Sequence, residues 1–231
     1  MIVLALETAT SHQSVGVFDD QRLLAYQECE AGRPLTPQLI PVIDRLLSSV
    51  SLRISDLEGL AISMGPGTFT GLRVGLATMT GFRLALNIPL VGVSTLEGLV
   101  WNQPPSDLPL LSTVSIRPGM VYWGLFHWKD QQVVCLKGAQ IGEIKEVCGA
   151  VSEPTIVLGD GWLQNRNAFP FEVSPLIEAP AEGLRPSAKG IGLAGLVLLS
   201  KGTFLPQGCS PHYIQPSYAE RQKSGSHEPI G

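Results

Sequence analysis

The sequence predicts an α/β fold of two units, each a mixed sheet with flanking helices. Three observations predict it. Both halves begin with short runs of period-2 alternation and then change to short apolar runs interleaved with helical-period segments. A stretch with two adjacent prolines, Asn102 to Asp107, separates them as a linker. Hydrophobic residues make up 44% of the 231 positions and charged residues 16%, enough to bury a core without disulfide or metal support.

In the first half, Ile2 to Leu6 is a buried strand, and Ser14 to Phe18 and Arg22 to Gln27 complete an antiparallel meander across the turn at Asp19-Asp20. Thr36-Pro37 opens a helix, a capping residue followed by proline at the first helical position. Leu39, Ile40, Ile43, Leu46, Leu47 and Val50 follow at helical spacing, with Pro41 expected to loosen the first turns. With Val42 added, this apolar arc is wider than one core-facing stripe requires. Leu60 to Met64 is the next strand. Gly65-Pro-Gly-Thr-Phe-Thr-Gly71 is a shaped turn in which Thr68 and Thr70 can cap the helix Leu72 to Leu86. Leu90 to Val93 is a strand, and Ser94-Thr-Leu-Glu97 is a capping-box pattern opening a helix to about Val100.

In the second half, strands are expected at Leu110 to Ile116, Val121 to His127, Val133 to Leu136 and Thr155 to Leu158. Arg117-Pro-Gly119 and Gly159-Asp-Gly161 are turns; Ile141 to Ala150 and Ser187 to Ser200 are helices. The two halves agree in order of elements rather than in residues. From Pro216 the chain is polar and is expected to form a loose tail.

Net charge of −4 argues against nucleic-acid binding through a basic face of this chain alone. Cys29, Cys135, Cys148 and Cys209 form no CxxC pair, which fits structural thiols in a reducing compartment. The start at Met1 has no basic flank and meets Glu7 at once, unlike a signal peptide. The longest apolar run, Ile191 to Leu199, is far short of the roughly 20 residues that span a bilayer. A cytoplasmic protein with no membrane partner is expected.

The glycine turn invites a phosphate, because amides at a helix start attract anions. It lacks the lysine and hydroxyl pair of a P-loop, since Leu72-Arg73 follow Gly71, and its third glycine comes one residue late for a dinucleotide fingerprint. Packing and turn geometry are the simpler reading. Glu7 and Thr8, at the end of the first strand, together with Gly65 and Gly67, are the candidate nucleotide-binding residues; ordering of a turn explains Glu7 and Thr8 equally well. His12, His127, His212 and His227 include no helical metal pair, and Gly92-Val-Ser-Thr-Leu96 lacks the last glycine of a nucleophile elbow. No catalytic residue and no metal ligand is assigned. Two helices apolar nearly all round suggest a face covered by a partner. Leu39, Ile43, Leu46, Gly71, Leu72, Gly75, Leu76 and Met79 are the candidate interface, with Gly71 and Gly75 one turn apart to admit another helix.

Three stretches, Leu4-Ala-Leu-Glu-Thr-Ala-Thr10, Gly65-Pro-Gly-Thr-Phe-Thr-Gly-Leu-Arg-Val-Gly75 and Ile88-Pro-Leu-Val-Gly-Val-Ser-Thr-Leu96, resemble the bacterial TsaB (YeaZ) family. Val121-Tyr-Trp-Gly124, Gly159-Asp-Gly-Trp162 and Pro211-His-Tyr-Ile214 extend the resemblance more sparsely. It implies an actin-like, hexokinase-like fold (the ASKHA class), with an N-terminal domain at 1–103 carrying the partner-binding helices and a C-terminal domain at 104–231. It also implies a non-catalytic subunit in threonylcarbamoyladenosine (t6A) synthesis on tRNA. Such a subunit pairs with a TsaD-like paralogue and a TsaE-like ATPase, meets tRNA through the complex, and self-associates as a dimer when alone. ATP and a metal ion are implied for those partners, with no cofactor of this chain's own. Glu7, Ser115 and Gln215 stand where the family more often has aspartate, aspartate and arginine, which weakens a nucleotide or metal site here. Rival readings are an ATP-binding enzyme of the actin-like class and a peptidase of the glycoprotease type.

Overall fold

A computed structural model describes residues 1–29, 33–169, 175–211 and 214. Among the described residues, ten strands form two five-stranded sheets with one topology, and six α-helices flank them. In the first sheet, β1 (Ile2–Glu7), β2 (Ser14–Asp19) and β3 (Arg22–Glu28) form the expected antiparallel meander. On the other side of β1, β4 (Gly59–Ser63) and β5 (Leu90–Val93) continue in parallel, giving the order β3-β2-β1-β4-β5. The second sheet repeats this with β6 (Leu110–Arg117), β7 (Met120–Lys129), β8 (Gln132–Glu143), β9 (Thr155–Leu158) and β10 (Leu176–Glu178), ordered β8-β7-β6-β9-β10.

The helices repeat too. α1 (Leu39–Ser49) and α4 (Ile144–Gly149) follow the meanders. α2 (Phe69–Leu86) and α5 (Asp160–Asn165) follow β4 and β9, and α3 (Thr95–Trp101) and α6 (Ala188–Ser200) follow the last strand of each half. The architecture is the actin-like, hexokinase-like one.

α1 and α2 cover one face of the first sheet: Leu39, Val42, Ile43, Leu46 and Leu47 of α1 and Leu76 and Met79 of α2 join Leu4, Leu6, Leu60 and Ile62. The other face is covered from the far end of the chain. Ala188, Ile191, Ala194 and Leu199 of α6 pack on Val3, Ala5, Ala61 and Val91. Conversely Leu96, Leu99 and Val100 of α3 join the second core, with Leu110, Val157 and Trp162. So α6, although it lies beyond residue 104, completes the first layer, and α3, before residue 103, joins the second. The two helices cross where a Cβ on Gly190 would fall on the Gly98 carbonyl oxygen. Tyr122, Trp123, Phe126 and Trp128 all point into the second core.

Several elements differ from the sequence reading. β8 runs on to Glu143 because β7 is long enough to pair with it as far as Met120, so residues 141–143 are strand and the helix starts at Ile144, with a Glu143–Glu146 capping box. Gly159 takes φ 96°, and Asp160 is already helical, so Gly159-Asp-Gly161 is a helix start rather than a free turn. Pro41 sits inside the first turn of an unbroken α1, where its missing N–H has no partner to lose. Thr68 and Ser94 occupy the N-cap positions of α2 and α3, but neither side chain caps its helix. The polar tail from Pro216 lies outside the described residues, as do His212, Tyr213, Gln215 and His227.

Candidate partner-binding surface and the seam between the sheets

β1, β4 and β5 run in parallel and end together, so the loops after them meet. Gly65 leaves β4 with φ 104° into a cis peptide bond with Pro66. Gly65 O accepts a hydrogen bond from Thr95 N at 2.8 Å, which ties the loop to the start of α3. Thr68 N donates to Ala9 O at 2.5 Å. A Cβ on Gly67 would fall on that same Ala9 oxygen, one on Gly71 on the Thr8 oxygen, and one on Gly75 on Thr8 Oγ1. The glycine turn is therefore packed on residues 8–9 of its own chain. That overturns the expectation that Gly71 and Gly75 admit a foreign helix.

All eight anticipated interface residues are inside the chain. Leu39, Ile43 and Leu46 of α1 and Leu72, Leu76 and Met79 of α2 are buried side chains, and Gly71 and Gly75 are buried as well. The wide apolar arc that suggested a partner serves two internal neighbours, the sheet beneath and the loop or helix alongside. On α1 the outer face is polar apart from Ile40 and Pro41: Asp44, Arg45, Ser48 and Ser49 are exposed. On α2 it is not. Thr70, Arg73, Ala77, Gly81, Leu84 and Ala85 are exposed, most of them along one side of an 18-residue helix. Arg73 lies over the Phe69 ring at 3.7 Å, and Leu84 is 67% exposed. Near the C-terminal end of α2, the Arg83 guanidinium donates to Leu205 O at 2.8 Å, and Leu205 N donates to Leu90 O at the edge of the sheet. This strap leaves Phe204 half exposed. The spacing 70, 73, 77, 81, 84 was readable in the sequence as the opposite side of the Leu72–Leu76–Met79 stripe.

Glu7 ends β1 on the face toward α6 and is fully buried. Its Oε1 accepts from Ala9 N at 2.5 Å, and its Oε2 has no partner. Burial pushes its carboxyl up to about 8, against the opposing pull of the Ala9 amide and the Ser63 hydroxyl, and the charge of Asp160 adds to the rise. Asp160 starts α5 from the second sheet, is 3% exposed, and accepts from Ser115 N at 3.1 Å. Burial raises it to about 6. Thr8 Oγ1 and Thr95 Oγ1 are also buried without a hydrogen-bond partner. The sequence marks Glu7 as a candidate nucleotide-binding residue and Asp160 only as part of a turn. The signal for Asp160 was its place after β9, equivalent to the glycine turn after β4.

Among the described residues no group of three or more His, Cys, Asp or Glu side chains comes together to hold a metal ion. No described helix is long and apolar enough to cross a membrane. A cleft of about 570 Å³ opens between the halves, lined by His12, Tyr26, Trp101, Arg185 and Lys189 with Glu28 and Glu182 among them. Burial and the nearby Arg185 guanidinium hold His12 below its ordinary value. The cations and carboxylates of this cleft are interspersed and make no single-sign field. Lys189, for instance, lies over the Tyr26 ring at 4.6 Å.

With this geometry in place, comparison with known proteins finds the following. Residues 29–173, more than half of the chain, match the family model TsaD, tRNA N6-adenosine threonylcarbamoyltransferase. The tRNA threonylcarbamoyladenosine biosynthesis protein TsaB of Escherichia coli is 27% identical, with 97% of this chain and 99% of that protein aligned. A crystal structure from Pseudomonas aeruginosa, of a protein with similarity to peptidase YeaZ, superimposes with TM-score 0.78 at 24% identity, covering 93% of this chain and 99% of that one. Component A of the Acidaminococcus fermentans (R)-2-hydroxyglutaryl-CoA dehydratase superimposes at TM-score 0.51 and 10% identity over 87% of this chain and 99% of that one, a likeness of fold alone.

Proposed function

The chain belongs to the TsaD family, and on that premise we propose that it is a TsaB-type subunit: a non-catalytic scaffold for threonylcarbamoyl transfer to the adenosine next to the anticodon of tRNA. It binds a TsaD-like transferase and holds it active; a TsaE-like ATPase joins the pair, and tRNA is met through the complex. The chain carries no nucleotide or metal of its own in this reading and works in the cytoplasm. The observation that carries it is the outer side of α2, a stripe of small and apolar residues that no part of the described chain covers, in a relative aligned over nearly its whole length with a t6A biosynthesis protein. Small residues at one-turn spacing let a partner helix approach closely, and the same stripe serves a second copy of the chain when the partner is missing.

The test is co-expression with the paralogue. The pair is expected to elute as one heteromeric peak. Ala77→Glu together with Leu84→Glu should split that peak without lowering the melting temperature of the isolated chain. Co-elution of the double variant with the paralogue would place the interface elsewhere. Depleting the protein and measuring nucleosides of bulk tRNA tests the pathway separately: t6A should fall, and an unchanged level refutes the assignment. The rival reading, an ATP-binding enzyme, requires room for phosphates at the glycine turn, where the end of β1 now sits. Calorimetry with ATP and magnesium should show no heat at millimolar ligand.

A further inference from the structure

Glu7 ends β1 of the first sheet and Asp160 opens α5 after β9 of the second, near enough for the charge of Asp160 to act on Glu7. Each is nearly or wholly buried, and they come from different halves of the chain. Among the described residues, no basic side chain figures among the main influences on either carboxyl. α6 brings Lys189, but it lies over Tyr26. α3 brings Glu97, whose charge is linked to Lys201 and Cys135. β4 brings only the Ser63 hydroxyl, and the loop after β1 only the Ala9 and Thr10 amides. From the second half, Ser115 and Gly161 give amides to Asp160. Asp160 is thus the charge that reaches Glu7, and it has the same sign. When Asp160 titrates, Glu7 is already neutral, so only Glu7 registers the pair's repulsion.

Two ionised carboxylates in this seam would be desolvated and mutually repelled, with one oxygen of Glu7 lacking any donor. We propose that the seam is a proton-controlled joint: neutral Glu7 lets the two halves close on each other, and its ionisation loosens them. The proton goes to solvent, and the cost of the buried charge is relieved when water enters beside Glu7. The residues that respond are the end of β1, the glycine turn packed on it, and the start of α5. Closure therefore weakens as the medium becomes more alkaline, and the adjoining start of α2 is loosened with it.

The experiment is hydrogen exchange by mass spectrometry on the full chain between pH 6 and pH 9, each rate corrected for the chemical exchange of an unstructured peptide. In the wild type, peptides covering residues 2–10 and 157–163 should lose about tenfold or more in protection across this range, tenfold corresponding to one pKa unit of resistance to ionisation. Peptides of α1 and of the β7–β8 hairpin should lose less. Glu7→Gln should hold protection level to within about twofold. Should that variant fail to fold, Asp160→Asn retains Glu7 but removes the like charge, and the alkaline loss should shrink without vanishing. Flat wild-type protection overturns the proposal. So does a Glu7→Gln or Asp160→Asn response equal to the wild type, and so does an equal loss of protection in every peptide.

Discussion

The turn after β4 and the turn after β9 are the same piece of architecture built twice, and they differ in what they launch. In the first half, Gly67 and Gly71 lie against the backbone of residues 8–9; in the second, Gly159 and Gly161 lie against Thr113 of β6, the strand equivalent to β1. A Cβ at Gly71 would strike the Thr8 oxygen and one at Gly159 the Thr113 oxygen. Since both halves need these close approaches, the fold itself accounts for the glycines. What distinguishes the first half is the helix that follows. α2 has 18 residues and an outer side left bare, whereas α5 has six and buries Trp162, whose indole N–H donates to Glu178 at 2.7 Å. One half has been spent on the core, the other reaches outward.

The comparison can be broken most severely at its shared contact. Gly71→Ala and Gly159→Ala should each cost about 3 kcal/mol or more in urea unfolding, since backbone rather than a mobile side chain must give way. Tolerance of Gly71→Ala alone would mean the two turns are not equivalent. Nearly as large is the contrast between neighbours on α2. Leu76→Glu puts a carboxylate into the core and should cost about 3–5 kcal/mol, while Ala77→Glu should leave the unfolding midpoint unchanged and act only on partner binding.

A smaller effect is the pH dependence. Glu7 is raised from 4.5 to about 8 and Asp160 from 3.8 to about 6. The folded state therefore binds more protons than the unfolded state in those ranges, and stability is greatest at the acid end. It should fall as pH rises through 6 and on toward 8, and thermal midpoints from pH 5 to 8 should show a decline that Glu7→Gln reduces. Smallest is Gly81→Ala. This exposed helix position has nothing within 4 Å of an added Cβ, so the change should stabilise the isolated chain by up to about 1 kcal/mol.

Much of the fold was legible because its core strands are short runs of Val, Ile, Leu and Ala bounded by Gly, Pro and Asp. β1, β2, β3, β4 and β5 are recovered within about a residue or two, as element ends usually are. The second half was less legible where pairing partners set the outcome. Residues 141–143 carry no strand signal of their own and are strand because β7 is there to pair with. The three-residue β10 is held by β9 and gave no periodicity to detect. The candidate surface was read on the side of α2 that the structure buries. Apolar width marks what a helix buries, but from sequence alone the core and a partner look the same. Leu72, Leu76 and Met79 went to the core, leaving Thr70, Ala77, Gly81 and Leu84, a set too small and mixed to stand out. Asp160 escaped notice because a G-D-G triplet ordinarily marks a turn, and its effect on Glu7 arises only in the folded chain.

The crossing of α3 and α6 has a consequence for how the molecule comes apart. Each helix is encoded beside one sheet and packs with the other, so a cut in the linker at 102–109 would strip both cores of a wall. Neither fragment could close its own interior. Melting should accordingly be a single cooperative event, with calorimetric and van't Hoff enthalpies in agreement, despite an outline of two lobes. During synthesis the first lobe waits, one face uncovered, until α6 has emerged.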